Sequence, residues 1–219
     1  MPAPRALTAL LAALAALIGL TVVATPASAA SISKPLNTLI SDLPVSNTVH
    51  SGYSRDLFKL WIDADGDGCD TREEVLLDEA VTAPSKGSGC TLSGGKWYSF
   101  YDQAYWTDKS DVDIDHVVPL GEAWTSGAYN WSASRRQDYA NDLGDDRTLV
   151  AVTDNVNQSK GDKDPAVWMP PSTSAYCRYV EYWVAVKTRW GLTADSIELA
   201  ALRNYAGSCG NPTISVTTV

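Results

Sequence analysis

Two short segments carry the residues whose chemistry is worth pursuing first. Asp113-Ile114-Asp115-His116-Val117-Val118-Pro119-Leu120 sets a carboxylate beside an imidazole, and Asp154-Asn155-Val156-Asn157-Gln158-Ser159-Lys160-Gly161-Asp162 answers it about forty residues later. Imidazole is the side chain suited to taking a proton from water near neutral pH, which makes His116 the candidate general base. Asp115 offers a charged oxygen and Asn157 a neutral amide oxygen, donors that suit a hard divalent ion such as magnesium or manganese. Such an ion neutralises charge gathering on a phosphate and stabilises the departing oxygen, as phosphodiester hydrolysis requires. The other histidine, His50, has no comparable context.

Neighbouring strand residues point to opposite faces, so Asp115 and His116 can share a site only where the strand twists, bulges or ends. Pro119 fits an ending. Around the motif, 113–118 alternates as a strand, 132–143 has helical spacing, and 148–152 is a compact apolar run suited to a returning strand. Asp154 is placed to cap a short helix that holds Asn157 in its first turn and ends at Gly161.

Upstream, apolar spacing predicts helices over 35–42 and 54–62, the second with Leu57, Phe58 and Trp61 on one side. The run from Lys96 to Tyr101 is strand-like after the Ser93-Gly94-Gly95 turn. Downstream, 175–190 places Tyr176, Tyr179, Val180, Trp183, Val184 and Trp190 on one helical face, a pattern of core packing, with Gly191 as terminator. A second helix over 194–205 follows Thr193 as cap. The expected class is α+β: strand, long excursion, strand and short helix over 113–165, embedded in a mostly helical single domain.

The chain opens with Arg5, an uncharged apolar stretch over 6–24 and the small residues Ala27-Ser28-Ala29. These are the marks of a secretory signal peptide over 1–29, which leaves a domain over 30–219, extracellular and without a membrane anchor after processing. Four cysteines, Cys69, Cys90, Cys177 and Cys209, are an even number in an exported chain and allow three pairings. Neighbour pairing, Cys69–Cys90 and Cys177–Cys209, closes the most modest loops and is preferred. No CxxC spacing supports a zinc site. The formal charge of −9 repels phosphate at long range, so any action on nucleic acid needs a local cation or basic patch. Arg135, Arg136, Arg147, Lys160 and Lys163 are the candidate phosphate contacts, and Glu122 and Asn141 are candidates for the ion's shell, directly or through water.

The DHVVP and NQSKGD segments resemble the HNH, or His-Me finger, endonucleases, and most closely their exported bacterial members related to the GmrSD type. The resemblance takes in Cys69-Asp70-Thr71-Arg72, Gly95-Lys96-Trp97-Tyr98 and Glu122-Ala123-Trp124, and so runs from about Trp61 to Pro171. It implies a ββα-metal core gripping one divalent ion through Asp115 and Asn157, with His116 activating water to leave a 5′-phosphate and a 3′-hydroxyl. The implied substrate is DNA or RNA; no helix-turn-helix or zinc-finger pattern accompanies the site, so cleavage largely without sequence preference is expected, by a monomer. One departure stands out: where the family often has a middle asparagine before the returning strand, this chain has Asp145-Asp146-Arg147-Thr148, with Asn141 the available substitute.

A second ion site is written in Asp63-Ala64-Asp65-Gly66-Asp67-Gly68-Cys69-Asp70-Thr71-Arg72-Glu73-Glu74. It matches the EF-hand loop in spacing, with Asp63, Asp65, Asp67, Cys69, Thr71 and Glu74 at the ligand places and Gly68 at the sixth. Helices over 57–62 and 73–77 would flank it, and structural calcium is the expected occupant. The rival reading is therefore a non-catalytic, extracellular calcium-binding protein that uses loop 63–74.

Overall fold

The computed structural model describes Met1 and residues 29–219, so the leader expected over 1–29 lies largely outside the described residues. The first half runs β1 (Ser31–Pro35), α1 (Leu36–Asp42), α2 (Thr71–Asp78), β2 (Ser85–Lys86), β3 (Leu92–Ser93), β4 (Trp97–Ser99), β5 (Ala104–Trp106) and β6 (Val112–His116). The second half runs α3 (Leu120–Thr125), α4 (Ala133–Ala140), β7 (Leu149–Thr153), α5 (Asp154–Lys160), α6 (Tyr176–Trp190), α7 (Ser196–Ala206) and β8 (Thr213–Thr217). The strands form four antiparallel pairs, β1–β8, β2–β3, β4–β5 and β6–β7. Helices and small sheets together make an α+β fold.

The β6–β7 pair is buried on both faces, and its alternation sorts two apolar clusters. Val112 and Ile114 with Leu149 and Ala151 join the smaller cluster around Leu76 and Trp97. Val150 and Val152 point the other way, into the larger cluster built on α1, α6 and α7. Opposite them in register stand Asp115 and Asp113, and α5 covers this polar stretch of the face. Helix α6 buries Tyr179, Val180, Trp183, Val184 and Trp190 and ends at Gly191, whose φ of 64° needs no Cβ accommodation.

Both disulfides form as the neighbour pairing predicts, Cys69–Cys90 and Cys177–Cys209. Other expectations are corrected. Residues 54–62 hold only a 3-10 turn over Arg55–Leu57, because Ser54 caps it, Phe58 dives into the core and Trp61 reverses the chain with φ of 53°. Loop 63–74 accordingly has no entering helix, although α2 leaves it, capped by Asp70. Helix α5 begins at Asp154 itself, behind Thr153 as cap, one residue earlier than a cap at Asp154 implies. Helix α7 starts at Ser196 behind a capping box of Asp195 and Glu198, not behind Thr193. The β1–β8 clasp, with Ser31 opposite Thr217, has no counterpart in the sequence expectation. No helix among the described residues is long and apolar enough to cross a membrane.

A buried acid locks the loop between α4 and β7. Asp142 accepts from Arg189 Nε at 2.7 Å and Nη2 at 2.8 Å, from Trp190 Nε1 at 2.8 Å and from Thr148 Oγ1 at 3.0 Å. Removing one partner strands a buried guanidinium, which typically costs about 3–5 kcal/mol. Asp142→Ala is therefore expected to lose about that much in urea unfolding, and Asp142→Asn, which keeps an acceptor, less. A loss below about 1 kcal/mol for the alanine variant would show that the loop is held elsewhere.

Candidate active site

Strand β6 ends at His116, and that ending lets two neighbours share one cleft. Asp115, His116 and Asn157 line a cavity of about 360 Å³ together with Arg55, Tyr53 and Asp162. The His116 ring is 5 % exposed and lies between Trp61, at 5.9 Å between centroids, and Tyr139, at 6.2 Å. Its Nε2 is 3.0 Å from the carbonyl oxygen of Ala140. A carbonyl can only accept, so Nε2 carries the proton and Nδ1 keeps its lone pair. Burial pushes the ring's pKa down to about 3; the Ala140 bond opposes this, and the charges of Arg55 and Lys160 add to it. The imidazole is thus neutral near pH 7.

Asp115 is held from two sides. Tyr101 Oη donates to Oδ2 at 2.6 Å and Lys160 Nζ to Oδ1 at 2.9 Å, while Lys160 also donates to the carbonyl of His116 at 2.9 Å. Burial pushes the Asp115 carboxyl up and the Lys160 ammonium down, and each partner's charge works against that desolvation. Tyr101 stays a donor because burial, and next the Asp115 charge, hold its hydroxyl well above its ordinary pKa. Asn157 donates through Nδ2 to Asp113 at 3.2 Å, which turns its amide oxygen into an available donor for a cation. Asp162 accepts from the Gly121 backbone N–H at 3.2 Å. An alanine Cβ at Gly121 would stand 2.5 Å from the Asp162 carboxyl carbon, so only glycine lets that acid come so close.

The other candidates are placed elsewhere. Lys160 is fully buried on Asp115 and is not free to meet a phosphate. Arg135 lies over Trp131 and Trp190 and donates to the Trp190 carbonyl, and Arg136 donates to the carbonyls of Leu57 and Trp131. Arg147 forks onto Asp145 and reaches the Ser215 carbonyl. None of these lines the cleft; Lys163 is exposed just past α5, its ammonium 2.6 Å from the Ser159 carbonyl. Glu122 is turned to a buried cluster in which Lys187 also meets Glu198, and it does not line the cleft. Asn141 uses its whole amide, accepting from Ile62 N–H and Thr71 Oγ1 and donating to the Lys59 and Gln137 carbonyls. It is no metal ligand; it pins the chain beside Ala140, whose carbonyl orients His116. His50 stacks on Tyr129 at 3.5 Å.

Four residues of the site escaped sequence reasoning. Asp162 lies inside the NQSKGD segment with nothing local to mark it; Tyr101 is only the last residue of a strand-like run; Tyr53 and Arg55 carry no local pattern at all. In loop 63–74, ligand oxygens of Asp63, Asp65 and Asp67 lie within 4.8 Å of one another. Asp67 is bridged by Lys86 at 2.7 Å, and the Cys69 sulfur is spent in its disulfide, which leaves only that residue's backbone oxygen for a cation.

A family model for the C-terminal domain of GmrSD restriction endonucleases matches residues 70–204, more than half of the 219-residue chain. The chain belongs to this family. A GmrSD-type chain is thus what carries the cleft, with β6, β7 and α5 inside the matched span and residues 53–61 before it. An uncharacterized secreted protein of Arthroderma benhamiae is 45 % identical over 195 residues, covering 86 % of this chain and 94 % of its own length. That relative is fungal, so nothing restricts the resemblance to bacterial members. With such a relative and two disulfides in place, the protein is secreted. No solved structure matches the chain.

The buried imidazole has a thermodynamic signature. Its folded pKa of about 3 lies below the unfolded value near 6.5, so between these pH values the unfolded chain binds a proton that the folded one refuses. The contribution is fully present above pH ~6.5 and fades as pH falls towards ~3, by about 1.4 kcal/mol per pH unit. Glu79, pushed by burial to about 7, works in the opposite sense over much of that window, so only a difference isolates His116. In chelator, urea stabilities of the parent and of His116→Asn are expected to converge on going from pH 6 to pH 4. Parallel curves would mean the ring is charged in the folded state.

Proposed function

We propose that the protein is a secreted, metal-dependent endonuclease of HNH type, and that residues 113–165 are its ββα-metal core. The observation that carries this reading is the Nε2–Ala140 hydrogen bond, which leaves Nδ1 with its lone pair on an imidazole residue that lines the cleft together with Asp115 and Asn157. Support from relatives is the family to which the chain belongs. The donor set fits a hard divalent cation: one carboxylate, one amide oxygen and the further carboxylate of Asp162, all oxygen. No group of three acids, histidines or cysteines converges in the cleft among the described residues, which suits magnesium or manganese, ions that keep several waters.

When bound, the ion supplies charge neutralisation at the phosphate and at the leaving oxygen. The chain's own residues do the rest. His116 Nδ1 takes a proton from water as the water oxygen bonds to phosphorus. The bond from phosphorus to the 3′-oxygen breaks, that oxygen is protonated by solvent, and a 5′-phosphate and 3′-hydroxyl remain. The Ala140 carbonyl accepts from Nε2–H more strongly as the ring becomes positive, and the negative phosphodiester beside it raises the ring's basicity from its buried value. Lys160 keeps Asp115 compensated before any cation arrives.

Plasmid DNA and a structured RNA incubated with the purified protein and magnesium or manganese test the reading. Cleavage abolished by chelator is expected. His116→Ala should keep the fold and lose about 100-fold or more in rate, the usual scale of a general base. Asp115→Ala and Asn157→Ala should recover part of their lost activity in excess metal. Cleavage by His116→Ala at the parent rate overturns the base assignment, and no cleavage under any condition favours the calcium-binding alternative.

The same reading gives loop 63–74 a structural calcium ion. Its support is the convergence of three carboxylates and the Glu74 carboxyl, raised first by burial and then by Asp67 and Asp65, an unfavourable crowding that a cation relieves. Calcium at about 100 times its dissociation constant should stabilise the fold by about 2.7 kcal/mol. Calorimetry is expected to show this rise for the parent and its loss in Asp65→Asn; no calcium-dependent shift in the parent removes the ion from the account.

A further inference from the structure

Resting on the endonuclease reading, we infer that Arg55, from the segment before the family-matched span, is the residue that grips the scissile phosphate. Arg55 is exposed and lines the same cleft as Asp115, His116 and Asn157. Among the described residues its guanidinium forms no ion pair, Asp162 of the same cleft included, while every other cation considered for the phosphate is engaged or stands outside the cleft. A chain with a net charge of −9 needs such a free cation where the substrate sits.

The turn that presents Arg55 is held on both flanks. Tyr53 packs on Phe58 at 6.3 Å and on Trp124 at 6.4 Å, and Phe58 is buried against Tyr139, the ring beside His116. Arg136 donates to the Leu57 carbonyl at 3.1 Å, and the Ser54 side chain accepts from Asp56 N–H. Arg55 is therefore an exposed side chain on a fixed base, within electrostatic reach of the imidazole that its charge helps keep neutral. A phosphodiester's two non-bridging oxygens match the guanidinium fork, and pairing with them adds positive charge where negative charge gathers during attack. His116 works from the strand, and Arg55 holds the same phosphate from the opposite chain segment.

The test compares the parent with Arg55→Ala, Arg55→Lys and, as a surface control of equal charge loss, Lys59→Ala. Binding of a short fluorescein-labelled DNA duplex is followed by anisotropy in chelator between about 50 and 200 mM salt, and cleavage is measured with magnesium. Arg55→Ala should melt at the parent temperature, lower kcat/KM by about tenfold to a hundredfold and flatten the log affinity against log salt slope by about 0.9, one phosphate contact. Arg55→Lys should restore the slope and only part of the rate, because ammonium keeps the charge without the fork. Lys59→Ala should change neither. If the parent cleaves and Arg55→Ala keeps its rate and slope, the inference fails while the endonuclease reading stands. An altered pH profile with an unchanged slope overturns it too, since Arg55 would then act on the imidazole alone. A parent that neither binds nor cleaves brings down both.

Discussion

The arrangement depends on one buried ammonium. Lys160, the last residue of the seven-residue α5, reaches back to Asp115 Oδ1 and the His116 carbonyl, both at 2.9 Å. A helix of two turns has little stability of its own and takes its position from tertiary contacts. This contact pulls the end of α5 onto the end of β6 and thereby brings Asn157 to the strand end that carries His116. It also means that the metal-ligand candidate Asp115 is already compensated in the resting protein, so the cleft does not hold a bare buried carboxylate, whose desolvation would be severe.

The second constraint is the cage around the imidazole. Trp61 and Tyr139 flank the ring, Ala140 takes its Nε2–H, and Asn141 ties the following residue to Ile62, Thr71, Lys59 and Gln137. Trp61 reaches its place with a backbone φ of 53°, a conformation costly for a bulky residue and sustained by its surroundings. Segments far apart in the chain thus converge to fix one tautomer. Burial keeps the imidazole neutral, with its Nδ1 lone pair available near neutral pH.

How much of this was legible in the sequence follows from the range of each interaction. His116, Asp115 and Asn157 sit in compact motifs; the strand that carries the first two follows from local alternation, and the short helix that carries Asn157 from Asp154 at its start and Gly161 at its end. The cysteine pairing followed from loop length and helix α6 from its apolar face. Lys160 was misplaced because lysine is read as a solvent residue by default, and nothing local says that a carboxylate 45 positions away will take it inside. Arg135, Arg136 and Arg147 read as free for the same reason, although each is engaged by a carbonyl or an acid and none lines the cleft. Tyr101, Arg55 and the Ala140 carbonyl became visible only in three dimensions, and the helix expected over 54–62 lost to the burial of Phe58 and the reversal at Trp61.

The central claim is that a divalent ion and the imidazole meet in the β6–α5 cleft, and paramagnetic broadening by manganese examines that meeting directly. With substoichiometric manganese and isotope-labelled protein, the account predicts that the Asn157 side-chain amide and the His116 ring signals broaden beyond detection, whatever happens in loop 63–74. Sharp Asn157 and His116 signals, with broadening confined to Asp63–Glu74, would contradict it.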